Sequence, residues 1–101
     1  MLPAYLLAPD LEETIRGAIR QTSAGSYLAI DPAVAQRFTA RCKQVIGQLK
    51  PGRHRPVILV SIDIRRYVRK LIERELYDVP VLSYQELTEE ITVQPLDRIA
   101  I

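Results

Sequence analysis

The chain holds one cysteine, Cys42, and one histidine, His54, the side-chain types that most readily supply a nucleophile and a base near neutral pH. Covalent chemistry would need one of them, or a serine, beside an oriented partner. Cys42 falls in the apolar stripe of a helical pattern, where cysteine acts as a small hydrophobe. His54 sits in a loop of arginines, Arg53-His54-Arg55, with no acid close in sequence to orient it, although a triad partner could still come from elsewhere in space. One cysteine also excludes an internal disulfide and a multi-cysteine zinc site. Gly17, Gly25, Gly47 and Gly52 are scattered and none is followed by Lys-Ser/Thr, so there is no phosphate-cradling loop. The neighbouring acids Glu12-Glu13, Glu73 with Glu75, and Glu89-Glu90 read as solvated carboxylates rather than an acid/base pair. The residues therefore nominate no enzyme, no cofactor and no metal.

What remains is charge. The net charge of +2 is too small to imply a polyanion partner. Its distribution is uneven: residues 53–74 hold seven Lys/Arg against two acids, and the rest of the chain holds seven against ten. Arg65, Arg66, Arg69, Lys70 and Arg74 fall on the outward side of one helical pattern. Three readings stay open for that face: a solvated surface with intrahelical pairs such as Arg69–Glu73, a surface for a protein partner, or a track for a phosphate backbone. No aromatic stacking platform accompanies the charges, because Tyr67 falls on the inward side with Ile64 and Leu71.

The elements that must position these groups centre on Pro56–Leu87. Val57-Ile58-Leu59-Val60 is a fully apolar run. Ile64, Val68, Leu71, Ile72 and Leu76 follow at helical spacing, and Val79-Pro80-Val81-Leu82 is a second short run. This predicts a β-α-β unit with parallel strands and a right-handed crossover. Ser61 is placed to cap its helix, with Asp63 in the first turn. Upstream, Tyr5–Ala8 reads as a strand. Asp10 and Glu13 have capping-box spacing, and Leu11, Ile15, Ala18 and Ile19 share a helical face that Ser23-Ala24-Gly25-Ser26 ends. Tyr27–Ile30 reads as a second strand. Asp31-Pro32 starts a helix with Val34, Phe38, Cys42, Val45, Ile46 and Leu49 inward, stopped by Lys50-Pro51-Gly52. Ile91-Thr92-Val93 reads as a short last strand. The expected fold is α/β: a small mixed sheet with three covering helices, order β-α-β-α-β-α-β plus a short C-terminal strand. A chain of 101 residues is one domain, 1–101, burying roughly two-thirds of its unfolded surface. No apolar run reaches the ~18 residues of a membrane span, and Met1–Glu13 lacks the basic start of a signal peptide.

The same stretch resembles the C-terminal end of the flagella/HR/invasion export-pore family, FHIPEP. The resemblance rests on Pro56–Ser61, Asp63-Ile64-Arg65, Tyr67, Arg69, Leu71-Ile72-Glu73 and Val79–Leu87 (VPVLSYQEL) taken together. Leu7–Glu12 and Leu28–Pro32 resemble the family's paired Leu-Asp-Pro helix starts, so nearly the whole chain is covered. The tail Ile91–Ile99 is similar to injectisome members. Ile62 stands where Pro is common, Gln85 where Asn is common, and Ala8 replaces an Asp; all three are compatible with the fold.

The resemblance implies the last cytoplasmic subdomain of a type III secretion export gate. The parent protein would lie in the bacterial inner membrane with a cytoplasmic domain forming a nonameric ring, and this stretch would be soluble with no membrane contact of its own. The implied function is a docking and regulatory subdomain that helps receive chaperone–substrate complexes or a gatekeeper protein and passes substrates to the pore. Neighbouring protomers of the ring would be further partners. The expected partner-binding residues are Arg53, Arg55, Arg65, Arg66, Arg69 and Lys70. The alternative, from the residues alone, is a small basic α/β nucleic-acid-binding module.

Overall fold

In the computed structural model of the chain, residues 2–47 and 56–101 are described. Four strands form one parallel sheet in the order β5-β4-β1-β6. These are β1 (Leu2–Leu7), β4 (Val57–Val60), β5 (Val81–Ser83) and β6 (Val93–Ile99). The predicted β-α-β unit is present: β4 pairs with β5 in parallel, Ile58 beside Val81 and Val60 beside Ser83, around helix α3 (Arg65–Ile72). All four residues of β4 are buried, as an uninterrupted apolar run between two covered faces requires.

The two faces differ. On one, Tyr5, Leu7, Ile58, Val60, Val81 and Ile99 pack with residues of all three helices: Leu11 and Ile15 of α1 (Pro9–Gly17), Phe38 and Cys42 of α2 (Pro32–Ile46), and Ile64, Tyr67, Val68 and Ile72 in and just before α3. On the other, Ala4, Val57 and Leu59 pack with half-buried Leu2, Leu6, Leu82, Leu87 and Val93. Leu87 comes from the connection that leaves β5 through a 3-10 turn (Tyr84–Glu86) and returns to the opposite edge as β6. That connection supplies the second face with the cover a helix would otherwise give.

Several local expectations change. The stripe Leu11-Ile15-Ala18-Ile19 is not one helix. α1 ends at Gly17, and Ile19 opens β2 (Ile19–Thr22), which pairs antiparallel with β3 (Gly25–Leu28) in a hairpin apart from the main sheet. Glycine is a poor helix residue, and Arg20 Nη1 donates to the carbonyls of Gly17 (2.8 Å) and Ile19 (3.2 Å), closing the helix end. Gly25 takes a φ of 128°, open to glycine and strained for other residues, at the hairpin turn. Thus Ser23–Ser26, read as a helix stop, is the turn and first part of a hairpin, and the strand read at Tyr27–Ile30 starts earlier, at Gly25.

Pro9 occupies the first helical turn of α1, so Ala8 is the N-cap and Asp10 lies too far in to cap it; no Asp10–Glu13 capping box forms. Asp31 does cap α2, accepting the Ala33 N–H at 2.8 Å with Pro32 following it. Leu49 and the stop at Lys50–Gly52 lie outside the described residues. Ser61 does not cap α3. Its N–H and hydroxyl donate to the Glu12 carboxylate at 3.1 and 3.0 Å, a charged acceptor in place of backbone amides. β6 is longer than Ile91–Val93 suggests because β1 offers it a parallel partner, with a register shift between Ala4 and Tyr5 that leaves Leu96 extra. Residues 94–98 of it are exposed, and Pro95 is tolerated because this is an edge.

Candidate docking site

α3 buries Tyr67, Val68 and Ile72, which leaves its cations on the solvent side. The structure then gives each cation a different surrounding. Arg69 turns back on its own chain: Nη1 donates to the Val79 carbonyl and Nη2 to the Tyr77 carbonyl, both at 3.0 Å. The pair Arg69–Glu73 does not form, because two fixed carbonyls with no carboxylate of their own hold the guanidinium. Arg65 pairs with Glu86. Glu86 Oε1 also accepts the N–H and hydroxyl of Ser83, both at 3.0 Å, so this carboxylate ties α3 to the turn after β5.

Arg66 and Lys70 behave otherwise. Arg66 Nη2 donates to the Tyr67 hydroxyl (2.6 Å) and to Ser26 Oγ, and its guanidinium lies 4.8 Å from the Tyr67 ring centroid. The Tyr67 hydroxyl donates to Ser26 Oγ at 2.7 Å. These bonds, to Ser26 first and then Arg66, hold the Tyr67 phenol below its usual pKa. Neither Arg66 nor Lys70 has a carboxylate partner among the described residues. Both line a cleft of ≈ 510 Å³ between the β2–β3 hairpin and α3, with Ser26, Tyr27, Leu28, Ile30, Tyr67 and Leu71. Arg53 and Arg55 lie outside the described residues, as does His54.

The four cations on α3 therefore resolve into two structural clamps, Arg65 and Arg69, and two with no carboxylate partner among the described residues, Arg66 and Lys70; Arg74, exposed just past the helix, lies outside this cleft. The residues that complete the cleft, Ser26, Tyr27, Leu28 and Ile30, come from a hairpin that the helical reading of Leu11–Ile19 hid. The signal for it was Thr22-Ser23-Ala24-Gly25, a turn sequence flanked by strand-forming residues.

The carboxyl end of a parallel sheet is the usual ligand position in open α/β folds. Here the chain's own side chains occupy it. Glu12 takes both bonds from Ser61, and Arg16 bridges Glu13 and Asp63. The Arg16 hydrogen bond holds the Asp63 carboxyl below its usual pKa, against a smaller opposing effect of burial. Burial pushes the Cys42 thiol up to about 12, far from a nucleophilic thiolate at neutral pH. Among the described residues no three His, Cys, Asp or Glu side chains gather as a metal site, and no helix is long and apolar enough to cross a membrane.

Compared with known proteins, residues 1–92 match the profile described as the FHIPEP family. The chain belongs to the FHIPEP family. Within that family it is 56% identical over 101 residues to the "Low calcium response locus protein D" of Yersinia pestis, covering 100% of this chain and 14% of that protein. Among solved structures it resembles the Chlamydia pneumoniae CdsV protein in a complex with CdsO, at 53% identity and a TM-score of 0.86, covering 97% of this chain and 29% of that one. It also resembles the nonameric EscV cytosolic domain from the type III secretion system, at 40% identity and a TM-score of 0.71, covering 97% and 28%. The relatives are type III secretion export proteins, and the chain spans about one seventh of the curated relative named here. The export-family resemblance read from Pro56–Leu87 is thus borne out, together with the α/β class and its three helices.

Proposed function

We propose that this chain is a docking subdomain of a type III export gate, with no catalytic role. It would help receive chaperone–substrate complexes or a gatekeeper protein on the cytoplasmic side of the bacterial inner membrane, as part of a protein whose protomers assemble in a nonameric ring. One observation carries the reading: two cations without carboxylate partners among the described residues, Arg66 and Lys70, face a half-apolar surface cleft on a chain of the export family. A surface of that kind steers an acidic partner and raises its on-rate more than its affinity. A CdsV structure that includes a second protein, CdsO, is in keeping with partner binding by such domains. The rival nucleic-acid module would need a run of free cations along one face. Arg65 and Arg69, which would extend that run, are held by Glu86 and by the Tyr77 and Val79 carbonyls, and Arg74 lies past the end of α3 outside the cleft.

The test is calorimetric titration of the chain with chaperone–cargo complexes from the same secretion system, with an oligonucleotide as control. The expected result is a saturable signal with a complex and none with the oligonucleotide. The double variant R66E/K70E should weaken that signal and flatten its salt dependence. Undiminished binding by the variant removes the cleft from the interface, and binding of the oligonucleotide alone overturns the reading.

A further inference from the structure

Arg66 is organised for a specific kind of contact. Its Nη2 is committed to Ser26 and Tyr67, and its plane rests on the Tyr67 ring. Nε and Nη1 make no bond among the described residues, so two separate donor groups of a held guanidinium stay free, on either side of the committed Nη2. Either free N–H can give a carboxylate one charge-assisted hydrogen bond. Because neighbouring groups already hold the side chain, less rotamer freedom is lost when the contact forms. Lys70 stands four residues on, one helical turn away and on the same side, a second positive charge that mildly repels the first. Among the described residues nothing acidic lines the cleft to offset either of them.

The remainder of the cleft is apolar. Leu28 and Ile30 from the hairpin side face Leu71 of α3, and all three belong to the partly buried margin of the main core. A volume of ≈ 510 Å³ lies within the range of roughly 300–1,000 Å³ typical of ligand clefts and accommodates a few side chains rather than a folded surface.

We infer that the cleft between the β2–β3 hairpin and α3 receives a short protein segment in which an acidic residue lies beside an apolar one. The carboxylate accepts a charge-assisted hydrogen bond from a free Arg66 N–H and is shared with Lys70. The neighbouring apolar side chain lies on Leu28, Ile30 and Leu71. This rests on the docking reading above and names the chemistry that reading leaves open. A phosphate backbone is the poorer occupant: among the described residues only two cations line the cleft, and the Tyr67 ring is already covered by Arg66.

The probes are two capped hexapeptides, GLEELG and its neutral counterpart GLQQLG, titrated into the full chain and followed by NMR at the Arg66 Nε–H and the amides of Ser26, Leu28 and Leu71. The acidic peptide should shift these signals saturably and bind about tenfold tighter than the neutral one, as a charge-assisted pair implies. R66Q/K70Q should abolish the difference, and K70Q, which breaks no internal bond, should reduce it by about threefold. Equal affinity of the two peptides, shifts confined to other residues, no saturable shift, or the same shifts with an oligonucleotide would each overturn the inference. Failure here is separable from failure of the docking reading. A chaperone–cargo complex that binds R66Q/K70Q as well as the parent chain keeps docking and rejects this cleft. An acidic peptide seated as described on a chain that binds no complex keeps the cleft chemistry and rejects docking.

Discussion

Replacing Arg69 by Ala separates a structural cation from a partner-facing one. In the sequence Arg69 looks like Arg66 and Lys70, an outward charge on the same helix. In the structure its two terminal nitrogens each hold a carbonyl of the segment entering β5, Tyr77 and Val79, at 3.0 Å. A hydrogen bond involving a charged group contributes about 1.5–3 kcal/mol when buried. The Val79 bond is partly buried and the Tyr77 bond exposed, so the pair is worth about 2 kcal/mol after discounting for solvent. With an unfolding entropy of about 2.1 cal/mol/K per residue, 101 residues give a fall in Tm of roughly 9 °C. The loss is local before it is global. The Ile58 N–H donates to the Pro80 carbonyl at 2.9 Å, inside the segment Arg69 holds, so its hydrogen exchange should accelerate more than that of α2. Scanning calorimetry and native-state exchange read both effects. R69K keeps the charge but cannot hold two diverging carbonyls with a planar fork, so it should recover only part of the stability. An unchanged Tm in R69A together with weakened binding of a chaperone complex would refute the assignment and return Arg69 to the docking surface.

Two further outcomes follow from buried and paired groups. Cys42 is fully buried, so thiol reagents should label it in denaturant and scarcely at all in the folded chain, while C42S should cost about 1–3 kcal/mol by placing a hydroxyl in an apolar site, measured by urea unfolding. Asp63 has a folded pKa below its ordinary value of about 3.9, so its contribution to stability is present above that value and is lost as pH falls through the lower folded pKa; D63N should flatten the acid limb of a stability–pH curve, and an unchanged limb would show that the Arg16 pair contributes nothing.

The chain illustrates which features a sequence carries locally. Val57–Val60 is apolar throughout, and Ile64, Val68 and Ile72 recur at helical spacing; these patterns depend only on which side chains avoid water, so the β4-α3-β5 unit was legible without its surroundings. Asp31-Pro32 was legible for the same reason, since a cap satisfies amides two residues away. The family resemblance rests on these same stretches. The hairpin was misread because Leu11, Ile15, Ala18 and Ile19 fit a helical stripe, although the end of α1 has a local cause in Gly17 and in Arg20 three residues on. Spacing likewise puts Arg65, Arg66, Arg69 and Lys70 on one outward face but says nothing of what each will meet there. Ser26 is 40 residues from Arg66, Glu86 is 21 from Arg65, and Ser61 is 49 from Glu12. Partners at such distances are chosen by strand order and by which connection crosses which face. The tertiary structure alone therefore decided that two of these cations are clamps and two are left for another molecule.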